Sequence, residues 1–214
     1  MENSSSPKIS IAMATYNGAK YLEVQLESIL YQTKLPDELI VSDDHSHDST
    51  MEKLKDFKNK APFEVKLFRN EGSGFNDNFE NALSNCSGEL IFISDQDDKW
   101  LSNKIETMHN YFLQNPNCHV LIHDLEFCDS NLNKIGQRKI ERIKLLHESL
   151  DGYVTGMASA VRDKFLKTCL PIPKGLNYDS WIHACANLLE IKFVIHEILA
   201  YYRRHDDNAT KNIL

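Results

Sequence analysis

Residues 90–100, "LIFISDQDDKW", join a short apolar run to a cluster of aspartates. The apolar run is typical of a strand that is buried on both faces of a sheet. Asp95, Asp97 and Asp98 then follow within four positions. Like charges at this spacing repel each other, and a buried carboxylate is costly unless another group pairs with it. Three carboxylates at the end of a buried strand therefore indicate a bound cation.

Short apolar segments alternate with helical patterns on the amino-terminal side of this stretch and just beyond it. The predicted strands cover residues 8–14, 38–44, 63–69, 89–94 and 118–127. This alternation predicts an α/β fold, with a Rossmann-like, mostly parallel sheet and helices on both faces. In such sheets the ligand binds outside the carboxyl ends of the strands.

Carboxylates follow two of these strands. Asp43 and Asp44 end the second predicted strand, and the aspartates of residues 95–98 end the fourth. All five carboxylates are therefore predicted along one edge of the sheet. Hard oxygen ligands suit Mg²⁺ or Mn²⁺, and an ion held by one or two carboxylates keeps coordination sites for substrate phosphates. The sequence thus predicts a divalent metal that holds a diphosphate.

Composition narrows the class of protein. The chain has 214 residues and a formal net charge of −7, which argues against a general nucleic-acid binder. Its five cysteines are odd in number and form no C-x-x-C pair, so they predict reduced thiols in a cytoplasmic protein. No apolar run reaches the length of a membrane span, and the first residues lack a secretory signal. Residues 1–7 are expected to form a short flexible tail.

Four motifs occur in a recognisable order: "ISIAMATYNGAKYLEVQLESILYQT", "ELIVSDDHSHDST", "ISDQDDKW" and "VTGMASAVRD". Together they resemble glycosyltransferase family 2, which has the GT-A fold, and within it bacterial rhamnosyltransferase-like members. The resemblance covers about residues 8–208. It implies a single GT-A domain over residues 8–214, in which residues 8–100 bind the nucleotide-sugar and the less regular residues 101–214 face the acceptor.

The resemblance also implies roles for residues around the nucleotide. The turn after the first strand and the aspartates after the second would hold the nucleobase and ribose. The helix that follows "NEGSG" would lie beside the nucleotide, although a plain helix-terminal hydrogen bond is an equally good role for its asparagine. The implied nucleotide-binding residues are Ala14, Tyr16, Asn17, Asp43, Asp44, Asn78, Asp95 and Asp97, and the implied metal ligand is Asp98.

The acceptor side carries the remaining implied residues. Asp179, in "NYDSWIHA", matches the catalytic base, and the acceptor would lie between Gly156 and the helix that starts at Asp179. Ser180 replaces a Trp that related rhamnosyltransferase-like members carry, which leaves the donor sugar open. Trp181 is a candidate for stacking on a sugar, although a core role is commoner for Trp.

The carboxy-terminal motif "YYRRHDDNA" matches a Tyr-Arg-x-His pattern of the family. It makes His205 a candidate metal or diphosphate ligand, and Arg203 and Arg204 candidates to offset pyrophosphate charge.

The implied reaction is an inverting transfer of a sugar from a dTDP- or UDP-sugar to a saccharide or lipid-linked acceptor. Bacterial surface polysaccharide synthesis, in the cytoplasm or at the inner face of the plasma membrane with peripheral membrane association, is the expected setting.

Three alternatives remain open at this point. A nucleotidyltransferase would share the aspartates and the metal, but it usually begins with a Gly-rich basic loop. A non-catalytic nucleotide-sugar binding module would need no base at Asp179. A metal-dependent phosphatase would carry an aspartyl nucleophile motif after the first strand.

Overall fold

The computed structural model describes residues 6–206 and residue 208. The predicted tail over residues 1–7 and the end of the predicted domain, residues 209–214, therefore lie largely outside the described residues. One eight-stranded sheet carries helices on both faces. The strands are β1 Ile9–Thr15, β2 Glu38–Asp43, β3 Glu64–Arg69, β4 Leu90–Ser94, β5 Lys99–Trp100, β6 Val120–Cys128, β7 Ser159–Arg162 and β8 Lys192–Arg203. The helices are α1 Leu22–Leu30, α2 Thr50–Lys60, α3 Phe75–Ser84, α4 Lys104–Gln114, α5 Lys139–Leu145, α6 Asp163–Cys169 and α7 Tyr178–Leu188, with short 3₁₀ turns at Leu150–Gly152 and Gly156–Ala158.

The strand order in the sheet is β3-β2-β1-β4-β7-β6-β8-β5. The β1–β2, β2–β3, β1–β4 and β6–β8 pairs are parallel. Strand β7 runs antiparallel to both β4 and β6, and β5 runs antiparallel to β8. This confirms the predicted α/β class with a mostly parallel sheet.

The central strands β1, β2 and β4 are buried along their whole length, as their near-continuous apolar sequences predict. Alternate residues point to opposite faces of the sheet, so each strand supplies two cores. Ile11 and Phe92 belong to the core that includes α1 and α4, whereas Ala12 and Ile93 belong to the core that includes α3 and α7.

The sheet curls because of the connection between β4 and β5. These strands are consecutive in the chain but stand fourth and eighth in the sheet, which in a flat sheet is about 19 Å apart. Only residues 95–98 join them, and only a fully extended chain of this length would approach that distance. These residues form a turn instead, so β4 and β5 must lie closer together than in a flat sheet. Curling brings β5 back toward β4, and the aspartates of residues 95–98 lie at the closure.

Of two carboxy-terminal segments with strand-like sequences, one differs from the expected strand and the other agrees with it. Residues 152–163 read as one strand, but β7 starts only at Ser159, since Gly156–Ala158 form a 3₁₀ turn. A side chain at Gly156 would collide with the hydroxyl of Tyr178, so close packing requires glycine there. Residues 192–205, expected as one or two strands, form the single strand β8, whose pairing with β6 is irregular around Asp124.

At the amino end of β2, the side chain of Glu38 is fully buried. Its carboxylate accepts hydrogen bonds from Ser10 Oγ (2.5 Å), from the backbone amide and hydroxyl of Ser87 (2.6 and 2.8 Å) and from Lys66 Nζ (3.1 Å). Burial alone would raise the pKa of Glu38, but these hydrogen bonds outweigh it and lower the pKa to about 2. This carboxylate is therefore fully paired.

Candidate active site

A cleft of about 500 Å³ opens at the carboxyl ends of β1 and β4. The ends of these strands, the start of α3, the turn at Gly156, the start of α7 and the end of β8 form its walls. The lining includes most of the residues that the sequence singles out: Ala14, Tyr16, Asp44, Asn78, Asp95, Asp97, Gly156 and Asp179. It also includes residues that the sequence did not single out, among them Gln96, Lys139, Tyr178, Tyr202 and Asn208.

The turn of residues 95–98 concentrates negative charge at one side of the cleft. Asp95, Asp97 and Asp98 each offer a carboxylate oxygen, and these atoms lie within 4.8 Å of one another. Burial, followed by the charges of Asp97 and Asp179, raises the pKa of Asp95 to about 8. Such a cluster is electrostatically costly unless a cation enters it.

Asp97 faces the cleft and contacts the carboxy-terminal motif. Its Oδ2 atom lies 2.8 Å from Nε2 of His205 and accepts a hydrogen bond of 3.2 Å from the side-chain amide of Asn208. His205 also packs against the ring of Tyr21, with 4.4 Å between ring centroids. The structure thus brings the predicted histidine to the predicted aspartate cluster.

Asp98 lies behind the cleft and is fully buried. Its Oδ1 atom accepts a hydrogen bond of 2.9 Å from the backbone amide of Arg203, whereas its buried Oδ2 atom has no hydrogen-bond partner among the described residues. Burial and the neighbouring aspartates raise its pKa well above the usual range. The sequence favours Asp98 as the metal ligand, but the carboxylate that lines the cleft beside His205 is that of Asp97.

Arg203 holds the aspartate turn in place. Its guanidinium donates to the backbone carbonyls of Asp97 (2.6 Å) and Ser130 (2.8 Å) and lies 4.6 Å from the centre of the Tyr21 ring. The expected role in offsetting pyrophosphate charge does not match these contacts, because the side chain is buried and aimed at backbone oxygens. Arg204 lies over Tyr202, 5.6 Å from its ring centre.

Lys104 is a buried cation that the sequence did not single out. Its Nζ atom donates a hydrogen bond of 2.6 Å to the carbonyl of Met157 and lies 3.8 Å from the centre of the Trp100 ring. Burial lowers its pKa well below the usual range, and the charges of Asp98 and Asp95 oppose that shift. Lys104 therefore connects the aspartate turn electrostatically to the 3₁₀ turn at Gly156–Ala158.

Asp44 and Asn78 form the opposite side of the cleft. The carboxylate of Asp44 accepts hydrogen bonds from Asn70 Nδ2 (2.9 Å) and from the backbone amide of Gly74 (2.8 Å). Asn78 donates from Nδ2 to the carbonyl of Thr15 (3.0 Å), and its buried Oδ1 atom has no partner in the described part of the chain. Both side chains are fixed before any ligand arrives.

Asp43 and Asn17 instead stabilise the turns that carry the cleft. Asp43 is buried and accepts hydrogen bonds from Thr15 Oγ1 (2.8 Å) and from the hydroxyl of Ser46 (2.6 Å). Asn17 adopts a positive φ of 45° and accepts a hydrogen bond from the amide of His47. Tyr16, between them and the cleft, is 53% exposed, and its backbone exchanges two hydrogen bonds with the Gln96 amide.

Asp179 lies in the first turn of α7, facing the cleft. Its Oδ1 atom accepts a hydrogen bond of 2.7 Å from the amide of Ser180. Burial raises the pKa of Asp179, and this hydrogen bond partly offsets the shift. A carboxylate with a raised pKa is a better proton acceptor than an ordinary aspartate, as a general base requires.

The aromatic residues of the acceptor side differ from the expectation. Trp181 packs against the core shared with α3 and donates its indole N–H to the carbonyl of Cys169 (2.9 Å). Phe127, Tyr178 and Tyr202 are aromatic residues of this side that line the cleft. Tyr178 stacks on Phe79, with 4.2 Å between ring centroids, and so joins α7 to α3.

Comparison with known proteins identifies the family to which this chain belongs. The sequence profile of glycosyl transferase family 2 matches residues 10–168. An uncharacterised glycosyltransferase of Nostoc sp. is 29% identical over 94% of this chain and 66% of its own length. A UDP-Glc:α-D-GlcNAc-diphosphoundecaprenol β-1,3-glucosyltransferase of Escherichia coli is 35% identical over 50% of this chain and 42% of its own. A dTDP-rhamnosyl transferase of Shigella flexneri is 33% identical over 50% of this chain and 39% of its own. The chain thus spans two thirds or less of the length of these relatives.

Solved structures show the same fold. TarS of Staphylococcus aureus in complex with UDP-GlcNAc superposes with a TM-score of 0.77, at 22% identity, over 94% of this chain and 60% of its own. A mannosyltransferase of Pyrobaculum calidifontis in complex with GDP-Man and Mn²⁺ superposes with a TM-score of 0.73, at 18% identity, over 93% of this chain and 57% of its own. The profile match and the GT-A architecture together show that this chain belongs to glycosyl transferase family 2.

Proposed function

We propose that this chain carries the catalytic site of an inverting, metal-dependent glycosyltransferase. Its donor is a UDP- or dTDP-sugar, and its acceptor is a saccharide or a lipid-linked saccharide. The observation that carries the proposal is the cleft itself, whose lining combines a cluster of carboxylates at Asp95 and Asp97 with the half-buried carboxylate of Asp179. The lipid-linked acceptor named for the E. coli relative and the UDP-sugar bound by TarS agree with these substrate classes.

The residues present fit a divalent cation. Three carboxylates converge within 4.8 Å, and the Oδ2 atom of Asp98 is buried without a hydrogen bond from any described residue. Asp95, Asp97 and His205 are the side chains that would hold Mn²⁺ or Mg²⁺ from the cleft, with Asp98 behind them. When bound, the ion neutralises the negative charge of the diphosphate leaving group.

The protein groups supply position and proton transfer. Asp44, Asn78 and the backbone of Tyr16 bound the side of the cleft assigned to the nucleoside. Arg203 keeps the aspartate turn fixed through the Asp97 carbonyl. A site whose donors and acceptors are fixed beforehand pays less to orient its substrates.

Asp179 acts as the general base in a single displacement. Its carboxylate takes the proton of the acceptor hydroxyl as that oxygen forms a bond to the anomeric carbon. The bond between this carbon and the diphosphate oxygen breaks, and its electron pair leaves with the nucleoside diphosphate. Attack from the face opposite the leaving group inverts the configuration of the sugar.

Titration calorimetry of UDP and dTDP, in Mn²⁺ and in excess chelator, tests the proposal. Wild-type protein should bind one of these nucleotides more tightly in Mn²⁺. Asp97→Asn should lose at least about tenfold in affinity in Mn²⁺ and change little in chelator, since removing a group that holds or orients a metal costs about that much. Asp56→Asn, an exposed aspartate on α2, is the matched control and should bind like wild type. Equal affinity for wild type and Asp97→Asn in Mn²⁺ would contradict the metal assignment.

A further inference from the structure

Helix α5 presents an unusual surface beside the cleft. Its buried side, Ile140 and Ile143, packs on the core. At its other end Leu145 and Leu146 are 60% and 51% exposed, although they are adjacent, large and apolar. Two neighbouring exposed leucines form a small apolar patch, which single exposed leucines do not, and an apolar patch contributes to binding where the rest of the surface also suits the partner.

Basic residues are concentrated in the sequence segment that carries these leucines. Residues 134–146 contain five basic residues and one acidic residue, in a chain whose net charge is −7. Extending the segment to residue 151 adds only Glu148 and Asp151 and leaves it basic. Lys144 is exposed, and the guanidinium of Arg142 lies 5.2 Å from the centre of the Phe127 ring. Lys134 pairs with Glu126, and Arg138 pairs with Asp124 and Glu141, so the positive charge beside the leucines is that of Arg142 and Lys144.

The same helix leads to the cleft. Lys139, its first residue, and Phe127, on which Arg142 packs, both line the cleft. Leu145 lies six residues further along, which corresponds to about 9 Å of helix. A surface that holds Leu145 would therefore lie close to the acceptor side of the site.

We propose that Arg142, Lys144, Leu145 and Leu146, here called the α5 face, dock this protein on an anionic lipid bilayer. Apolar side chains that enter the headgroup region, flanked by cations that attract anionic lipids, are the two elements of interfacial binding. A protein partner would explain the leucines equally well, but the two cations beside them, Arg142 and Lys144, favour an anionic surface. The docking goes beyond the proposed function and relies on it only for the lipid-linked nature of the acceptor.

A second exposed leucine pair provides a matched control. Leu188 and Leu189, at the end of α7, are 84% and 59% exposed. They are followed by Glu190, and residues 184–191 contain no basic residue. If exposed apolar area alone caused membrane binding, this pair would contribute at least as much as the α5 face.

Vesicle co-sedimentation of the full chain tests the proposal. Wild type should bind vesicles of phosphatidylglycerol and phosphatidylcholine in equal amounts, and bind phosphatidylcholine alone far less. Replacing both leucines of the α5 face by Ser should weaken binding at least about tenfold, because binding scales with inserted apolar area. Arg142→Gln and Lys144→Gln should each weaken it about fivefold, and less at high salt. Leu188→Ser with Leu189→Ser should bind like wild type.

A second measurement detects contact with the membrane directly, in a variant that should still bind vesicles. Leu146→Trp retains an apolar side chain, and brominated lipids should quench its fluorescence. Absence of quenching, equal binding to neutral vesicles, or equal loss with the α7 pair would each overturn the proposal. The proposal would also be overturned if the α5 leucine variant bound vesicles like wild type but changed its oligomeric state. A second copy of the chain would then be what covers the leucines.

The same variants separate this proposal from the proposed function. UDP or dTDP binding in Mn²⁺ should be unchanged in every α5 variant, because none of the four side chains lines the cleft. Vesicle binding without nucleotide binding in the wild type would refute the proposed function alone. Nucleotide binding without vesicle binding would refute the docking alone.

Discussion

Glu38 and the aspartate turn of residues 95–98 are buried carboxylate sites at opposite ends of the same sheet. Glu38, at the amino end of β2, receives hydrogen bonds from two serines and a lysine, and its pKa is lowered to about 2. Asp95, beyond the carboxyl end of β4, faces other carboxylates, and its pKa is raised to about 8. Burial is common to both sites, so the partners determine the sign of the shift.

The difference separates a structural carboxylate from one for which we propose a function. The Glu38 site is complete within the chain and stabilises the folded state without any ligand. The aspartate turn is incomplete within the described chain, because burial and the neighbouring carboxylates keep the pKa of Asp95 and of Asp98 above the usual range. Functional sites are typically where such unfavourable electrostatics are retained.

The largest expected effect is a loss of sugar transfer on replacing Asp179, the candidate base in the same cleft as the aspartate turn. Asp179→Asn should reduce sugar transfer by at least about a hundredfold, because general-base catalysis contributes about 10² to 10⁴ in rate. Asn also favours helix termini, so stability and nucleotide affinity should stay near wild type. The measurement is release of nucleoside diphosphate with an acceptor present. Transfer at the wild-type rate would show that the base lies elsewhere.

The next effect concerns the structural side. Glu38→Gln should lower the free energy of unfolding by about 2 kcal/mol, since it removes charge-assisted hydrogen bonds from a buried site. Denaturant unfolding measures this change. Nucleotide affinity in Mn²⁺ should stay constant, and Glu64→Gln, an exposed neighbour of Lys66, is the control with little effect on stability. A loss of nucleotide affinity in Glu38→Gln would break the distinction between the two sites.

A smaller effect is expected at Asp44. Asp44→Ala removes the acceptor of the hydrogen bonds from Asn70 and the Gly74 amide. We expect about tenfold weaker binding of the free nucleoside as well as of the diphosphate, because a hydrogen bond to a charged group contributes about 1.5–3 kcal/mol. Calorimetry with uridine or thymidine in chelator measures this directly. A variant that lost only Mn²⁺ affinity would assign Asp44 to the metal instead.

The smallest effect is a dependence of stability on pH. The folded-state pKa of Glu38 is about 2 and the ordinary value is 4.5. A lowered pKa means that Glu38 stabilises the fold fully above pH 4.5 and loses this contribution as the pH falls toward 2. The stability difference between wild type and Glu38→Gln should therefore be constant near neutral pH and shrink in acid. A difference that grew in acid would contradict the pairing of Glu38.

The amino-terminal strands and the aspartate cluster could be predicted from the sequence for a physical reason. Strands buried on both faces need continuous apolar runs, and parallel strands place their carboxyl ends together. The placement of Asp44, Asp95 and Asp97 at one cleft follows from these two rules alone.

The contacts that complete the site depend on long-range packing and could not be predicted in this way. Lys104 begins an amphipathic helix, where lysine is normally solvated, and only the fold shows that it is buried against Trp100. Arg203 carries charge that suits a diphosphate, and only the fold aims it at the carbonyl of Asp97. The 3₁₀ turn before β7 packs through Gly156 against the hydroxyl of Tyr178, a residue that is distant from it in sequence.

The curled sheet has a consequence for synthesis on the ribosome. The aspartate turn is made early, but its partner groups are among the last: β5 pairs with β8, and the amide and side chain of Arg203 hold Asp98 and Asp97. A nascent chain that has emerged only through β5 therefore displays three aspartates whose contacts with β8 have not yet formed. We therefore expect the proposed cation site to be assembled only after β8 has paired with β6 and β5.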